Sequence, residues 1–134
     1  MPRFEVIDHT ADVGIIAYGS DLKEAFANSA YGMFSLIADL EGVKEKVSRK
    51  VNLQSTDREA LLVDWLNELL YLFDVEHIIF KRFEITALSQ KRLQAKVYGE
   101  KIDTSRHHLK TAVKAATYHM LKIEENKGIK VQFI

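Results

Sequence analysis

Two short stretches concentrate the groups in this sequence that can do chemistry. In EVIDHTADVG (residues 5–14), Asp8, His9, Thr10 and Asp12 lie between apolar runs. Carboxylates and a hydroxyl are hard oxygen donors that suit Ca²⁺ or Mg²⁺ better than a soft metal. One loop cannot complete the six to eight oxygens that Ca²⁺ takes, so further donors would have to come from elsewhere. The plainer reading is a turn whose aspartates bond local N–H groups. In SRHHLKTAVKAATYH (residues 105–119) fall three of the five histidines, His107, His108 and His119. On a helix, His107, Lys110 or Thr111, Lys114 and Thr117 or Tyr118 would share one face. Near-neutral histidines beside lysines can meet a phosphate or a carboxylate-bearing partner. A solvated helix face accounts for the same pattern. His119 reads equally well as a group capping the helix end.

Other chemistries are excluded by what is missing. There is no P-loop, no Gly-rich dinucleotide fingerprint, no H-E-x-x-H and no G-x-S-x-G. Cysteine is absent, which removes disulfides, thiolate metal sites and cysteine nucleophiles. Lys+Arg and Asp+Glu both number 19, so no net field draws nucleic acid or an anionic membrane, and any RNA contact is expected to be indirect. No apolar run is long enough to span a bilayer, and the start MPRFEVID lacks a secretion-signal core. A cytoplasmic location is the expectation. A free-standing two-metal phosphoesterase would need a second carboxylate cluster, and none is present.

The elements that must position these residues follow from periodicity. With 134 residues, 47% of them hydrophobic and 28% charged, the chain is expected to form one globular domain over residues 1–134. Residues 3–8 and 13–18 read as strands, the second buried on both faces. Leu22, Phe26, Ala30, Met33 and Ile37 mark one helix face, with Ser20 or Asp21 as cap, Glu24 in the first turn and Gly32 at a close contact with the sheet. Residues 47–55 alternate as a half-buried strand. Thr56-Asp57-Arg58-Glu59 reads as a capping box before EALLVDWLNELLYLF, a largely apolar central helix with Trp65 in the core. His77 reads as a loop residue. HIIFKRFEITAL and RLQAKVYGE form a hairpin across Ser89-Gln90-Lys91. A third helix is predicted over roughly 105–118, burying Leu109, Ala112, Val113 and Ala116. Strand-like LKIEE, a turn at Asn126-Lys127-Gly128 and IKVQFI finish the chain. The mixed order predicts an α+β fold, with about three helices on antiparallel or mixed sheets, and hints at two similar halves.

The sequence resembles the archease family nearly end to end. The resemblance rests on HTADVGI (9–15), GSDLKEAFANSAYGMF (19–34), LLVDWLNELLYLFD (61–74), and then YGEKID, RHHLK and VKAATYH in that order. It implies an α+β fold of one strand-helix-strand-strand module inserted in another. It also implies a non-catalytic protein cofactor of an RtcB-type RNA ligase in tRNA splicing, one that promotes guanylylation of the ligase and multiple turnover. The alternative role implied is a chaperone-like adaptor of tRNA cytosine-5 methyltransferases. The resemblance further implies a bound divalent metal, Ca²⁺ in the first place with Mg²⁺ or Mn²⁺ as substitutes. Asp12 is the ligand it carries over. The family's second acidic ligand, just before the last position, has no counterpart in KVQFI. His9, His108, Lys114, Thr117 and His119 match the family's polar positions and are implied to surround the same site, where His9 would orient Asp12 or a neighbouring group.

Overall fold

In the computed structural model, which describes residues 3–8, 13–124 and 128–134, the expected opening hairpin is present. β1 (Phe4–Asp8) pairs antiparallel with β2 (Val13–Ala17), from Phe4↔Ala17 to Asp8↔Val13. Helix α1 (Leu22–Ile37) follows. Next come a 3₁₀ turn (Leu40–Gly42), strand β3 (Val47–Gln54), helix α2 (Arg58–Glu76), and the hairpin β4 (Ile78–Leu88) and β5 (Arg92–Lys101). Strands β6 (Ala116–Glu124) and β7 (Gly128–Phe133) close the chain.

Two antiparallel sheets result, ordered β1-β2-β7-β6 and β3-β5-β4. The second sheet and α2 form one uninterrupted β-α-β-β unit. It is inserted between α1 and β6 of an outer β-α-β-β unit made of β2, α1, β6 and β7. This is the nested arrangement that the resemblance implied. No helix among the described residues is long and apolar enough to cross a membrane.

One apolar cluster runs through both units. Its hinge is aromatic: Phe34 of α1 packs edge-on against Phe73 and Phe80, and Trp65 of α2 meets Phe83 edge-on. Trp65 is fully buried, and its indole N–H donates to the Phe26 carbonyl at 3.0 Å, which satisfies the polar tip and ties the two helices together. Gly32 is fixed by the same packing. A Cβ there would stand 2.7 Å from Ile15 Cδ1 and 3.0 Å from the Phe4 ring, so the expected close approach is real.

The helix starts follow side-chain chemistry. Asp21 caps α1 by accepting the Glu24 N–H, while the Glu24 carboxylate accepts the Ser20 N–H. At α2 the cap is Asp57, which accepts the Ala60 N–H, and not Thr56 as the capping-box reading placed it. Both residue types suit the position; the carboxylate also complements the helix dipole. His77 ends α2 in the left-handed region (φ 58°, ψ 45°), with its N–H on the Phe73 carbonyl.

The third helix predicted over 105–118 is not formed, so the described residues hold two α-helices and the 3₁₀ turn. The reason lies in where the backbone N–H groups go. Lys110 and Thr111 donate to the Ile37 and Leu36 carbonyls, which α1 leaves without intrahelical partners. Lys114 and Ala115 donate to the Ile134 carbonyl. Those donors are therefore unavailable for an i→i−4 ladder, and only one turn forms, at Asp103–His107. From Ala116 the chain enters β6, where Thr117, Tyr118 and Ile123 are good strand formers.

Candidate functional site

The end of the four-stranded sheet is where sequence-predicted residues meet. Val13 pairs with Phe133, and Phe133 pairs with Ala116, which makes one row across β2, β7 and β6. One step along, the Ile134 carbonyl accepts the Lys114 N–H at 2.6 Å and the Ala115 N–H at 3.2 Å, while the Ile134 N–H donates to the Ala115 carbonyl. Thr117 pairs with Gln132, and its hydroxyl donates to the Gln132 carbonyl at 3.3 Å. The Ala116 N–H donates to Asn67 Oδ1 of α2 at 2.8 Å, locking the row to the central helix. Lys114 and Thr117 are thus brought to the strand end whose β2 residue directly follows Asp12 in the chain.

Asp12 and His9 themselves lie outside the described residues. His108 does not join this row: its carbonyl accepts the Asp39 N–H beyond the end of α1, and its ring is exposed. His119 is an exposed residue of β6 and not a helix cap. It belongs to a wide bulge, in which residues 118–121 lie between the pairs Thr117↔Gln132 and Lys122↔Lys130. Met120, within the bulge, takes φ 55°, a left-handed conformation that L side chains rarely adopt. Burial, reinforced by the carboxylates of Asp64, Asp57 and Glu59, holds the Tyr118 hydroxyl above its ordinary pKa, although the residue as a whole is 57% exposed.

Phe133, in the segment KVQFI that offers no acidic side chain, is buried in the core. The Ile134 carbonyl already accepts two N–H groups. Among the described residues, no group of three or more histidines and carboxylates is arranged to hold a metal.

A second cluster was not singled out by the sequence. Glu100, 4% exposed, sits at the end of β5. Its Oε1 accepts the Lys44 N–H at 3.0 Å and faces His107 Nε2 at 3.0 Å; its Oε2 accepts from the Arg106 guanidinium. His107 Nδ1 accepts the Asp103 N–H at 2.9 Å, so the bonding pattern places the imidazole proton on Nε2, which donates to Glu100. Burial pushes the Glu100 carboxyl up, but the Lys44, His107 and Arg106 donors outweigh it and hold the pKa at about 2. This buried pair anchors the irregular segment that runs on through His108 to Lys114. A signal existed: Leu93, Ala95, Val97 and Gly99 alternate inward along β5, and Glu100 is a charged residue buried out of that phase.

Comparison with known proteins places this geometry in context. A family model described as the Archease protein family matches residues 4–134. A Sulfurisphaera tokodaii protein named protein archease is 43% identical, the match covering 96% of this chain and 92% of that one. The protein archease of Methanosarcina mazei is 40% identical, covering 94% of this chain and 89% of its own length. The solution structure of Methanobacterium thermoautotrophicum protein 1598 superposes with a TM-score of 0.81 at 39% identity, over 99% of this chain and 97% of that one.

Proposed function

The chain belongs to the Archease protein family, and from that membership we propose that it activates an RtcB-type RNA ligase in tRNA splicing, promoting the ligase's guanylylation and multiple turnover without being a catalyst itself. The observation that carries the reading is the gathering of Lys114, Thr117 and the Ile134 carbonyl at the sheet end beside Val13, the residue after Asp12. Such an end offers a cation just before β6 and a hydroxyl on it, next to the β2 residue that follows Asp12 in the chain. That is a constellation suited to positioning groups in a partner's centre. Among the described residues, nothing at this end pairs a nucleophile with a base.

The divalent metal enters this reading only as a weak contact at Asp12. No step of the activation is assigned to a metal. Contact with RNA is proposed to run through the ligase, in keeping with the zero net charge, and the protein is proposed to work in the cytoplasm. A second reading is the methyltransferase adaptor. It is favoured by the exposed Tyr118 and Met120 on the edge strand β6, apolar groups that an adaptor would present.

The experiment is guanylylation of the cognate ligase with and without this protein. Stimulation at substoichiometric amounts of the protein, with no turnover by the protein alone, is the expected result. An unchanged ligase rate would overturn the proposal.

A further inference from the structure

At the other end of the β1–β2 hairpin the structure holds a cleft of about 750 Å³, a size that suits a small organic ligand. Arg3 and Tyr18 mark its rim where the Tyr18 N–H donates to the Arg3 carbonyl, next to the Phe4↔Ala17 pair. Five paired residues separate this rim from the Asp8↔Val13 end, a span of roughly 13–17 Å. The cleft is therefore distinct from the sheet end discussed above, and nothing said of it depends on the ligase reading.

The lining itself holds three cations and two carboxylates, and the Glu5 carboxylate accepts the Tyr18 hydroxyl at the rim at 3.0 Å. Of its three cations, Arg82 is spoken for: its guanidinium meets Glu45 at 2.6 Å and Glu84 at 3.2 Å and stacks on Tyr98 at 3.7 Å. Of its two carboxylates, Glu45 is the one held by Arg82, and Glu24 accepts the Ser20 N–H at the start of α1, where the helix dipole offsets it. Arg3 and Lys81 remain. Arg3 lies over the Tyr31 ring at 4.4 Å, and Lys81 Nζ donates to the Val43 carbonyl at 2.9 Å. Among the described residues neither has a carboxylate within ion-pair distance. Both groups are oriented by neutral partners, and each keeps N–H groups to spare. An anion is the ligand that this arrangement lacks.

The rest of the lining sets the shape of that ligand. Tyr18, Tyr31 and Phe83 bring three rings to the cleft, with Ala27 between polar neighbours. Phe83 is half-buried and packs on Trp65 and Phe34, which fixes its plane. Two cations lining a cleft that also presents aromatic rings are a combination that takes a phosphate together with a planar base. Asn28 adds a side-chain amide, whose N–H is already committed to the Tyr18 carbonyl and whose orientation is thereby set.

We propose that this cleft binds a nucleoside phosphate, with the phosphate at Arg3 and Lys81 and the base against the Phe83 and Tyr31 side. Two sources share that chemistry, a free mononucleotide and the 5′-phosphorylated end of an oligonucleotide.

The test is a titration of the ¹⁵N-labelled protein followed by NMR, with adenosine 5′-monophosphate, adenosine, inorganic phosphate and a 5′-phosphorylated adenosine tetranucleotide as probes. The monophosphate is expected to produce saturable shifts at Tyr18, Gly19, Asn28 and Phe83. Adenosine and phosphate should each bind at least about tenfold more weakly, since each makes only half the contacts. Affinity of the tetranucleotide about equal to the monophosphate identifies a free nucleotide as the ligand class; tenfold tighter binding identifies a strand end. Arg3→Met and Lys81→Met should each weaken the monophosphate by at least about fivefold. Thermal unfolding of both variants checks the fold, and Arg3, exposed before the edge strand β1, is the variant least able to disturb it. The absence of saturable shifts up to 10 mM, shifts confined to another surface, or unchanged affinity in folded Arg3→Met would each overturn the proposal.

Discussion

Residues 58–76 and residues 105–118 carry comparable helical periodicity, yet one is the central helix of the molecule and the other is mostly irregular. The difference lies in partners for the backbone. α2 has a capping carboxylate at Asp57 and buries Leu61, Leu62, Trp65, Leu66 and Leu69, so its own ladder is the best use of its N–H groups. The later segment buries Val113 and Ala116, but Leu109 is 44% exposed, which is too narrow a stripe to stabilise a helix by packing. Competing acceptors are close by: the free carbonyls of α1, the Ile134 carbonyl, and the buried Glu100 carboxylate that seizes His107. Propensity is a weak prior, and tertiary hydrogen bonds override it.

The sharpest way to break this comparison is to remove the anchor. Glu100→Ala leaves the His107 ring, the Lys44 N–H and the Arg106 guanidinium without their shared acceptor, and should cost about 3–5 kcal/mol of unfolding free energy. The exposed Asp74→Ala on α2 should cost within about 0.5 kcal/mol. Urea denaturation of both variants measures the contrast; a Glu100→Ala loss below about 1 kcal/mol would mean that the segment is held by something else.

The same carboxylate gives the comparison a pH axis. Its folded pKa of about 2 lies below the ordinary 4.5, so the folded protein favours the ionised form. The stabilisation is complete above pH 4.5 and drains away as pH falls through the interval from 4.5 to 2. Urea midpoints measured across that interval should fall for the wild type, and the Glu100→Gln variant should show a shallower decline.

A smaller effect is expected where α2 holds the sheet end. Asn67→Ala removes the acceptor of the Ala116 N–H, with an expected loss of about 1–2 kcal/mol. Amide exchange at Ala116 and Ala115 should rise in that variant while α2 amides stay protected. The smallest effect belongs to the metal. If Ca²⁺ meets little more than Asp12, with a Kd of about 1 mM, then 1 mM Ca²⁺ adds roughly 0.4 kcal/mol, a shift of about 1–2 °C in Tm. That shift should vanish in Asp12→Ala, and a much larger one would reveal a complete ion cage.

What the sequence made legible follows the same divide. Alternation and 3.6-residue periodicity located β3, α1, α2 and the β4–β5 hairpin because each of these is stabilised mainly by its own apolar face. The capping position slipped by one residue, since Thr56 and Asp57 are both competent caps and local pattern cannot rank them. Segment 105–118 was misread because its hydrogen-bond partners, Leu36, Ile37, Glu100 and Ile134, are distant in sequence or supplied by a buried charge. Of the site residues, Lys114 and Thr117 came to the sheet end together, whereas His108 and His119, which the resemblance grouped with them, lie apart from that row. Asp12 and His9 were legible as polar residues of an inter-strand connection, and the Asp8↔Val13 pair bounds that connection.

The central claim is that the Asp12 connection and Lys114 together act on a partner's active centre. Its most direct measurement is guanylylation of the ligase driven by wild type, Asp12→Ala and Lys114→Ala, each first shown to unfold at the wild-type urea midpoint. Both variants are expected to keep the fold and lose at least about tenfold of the stimulation. Full stimulation by a folded Asp12→Ala protein would contradict the account.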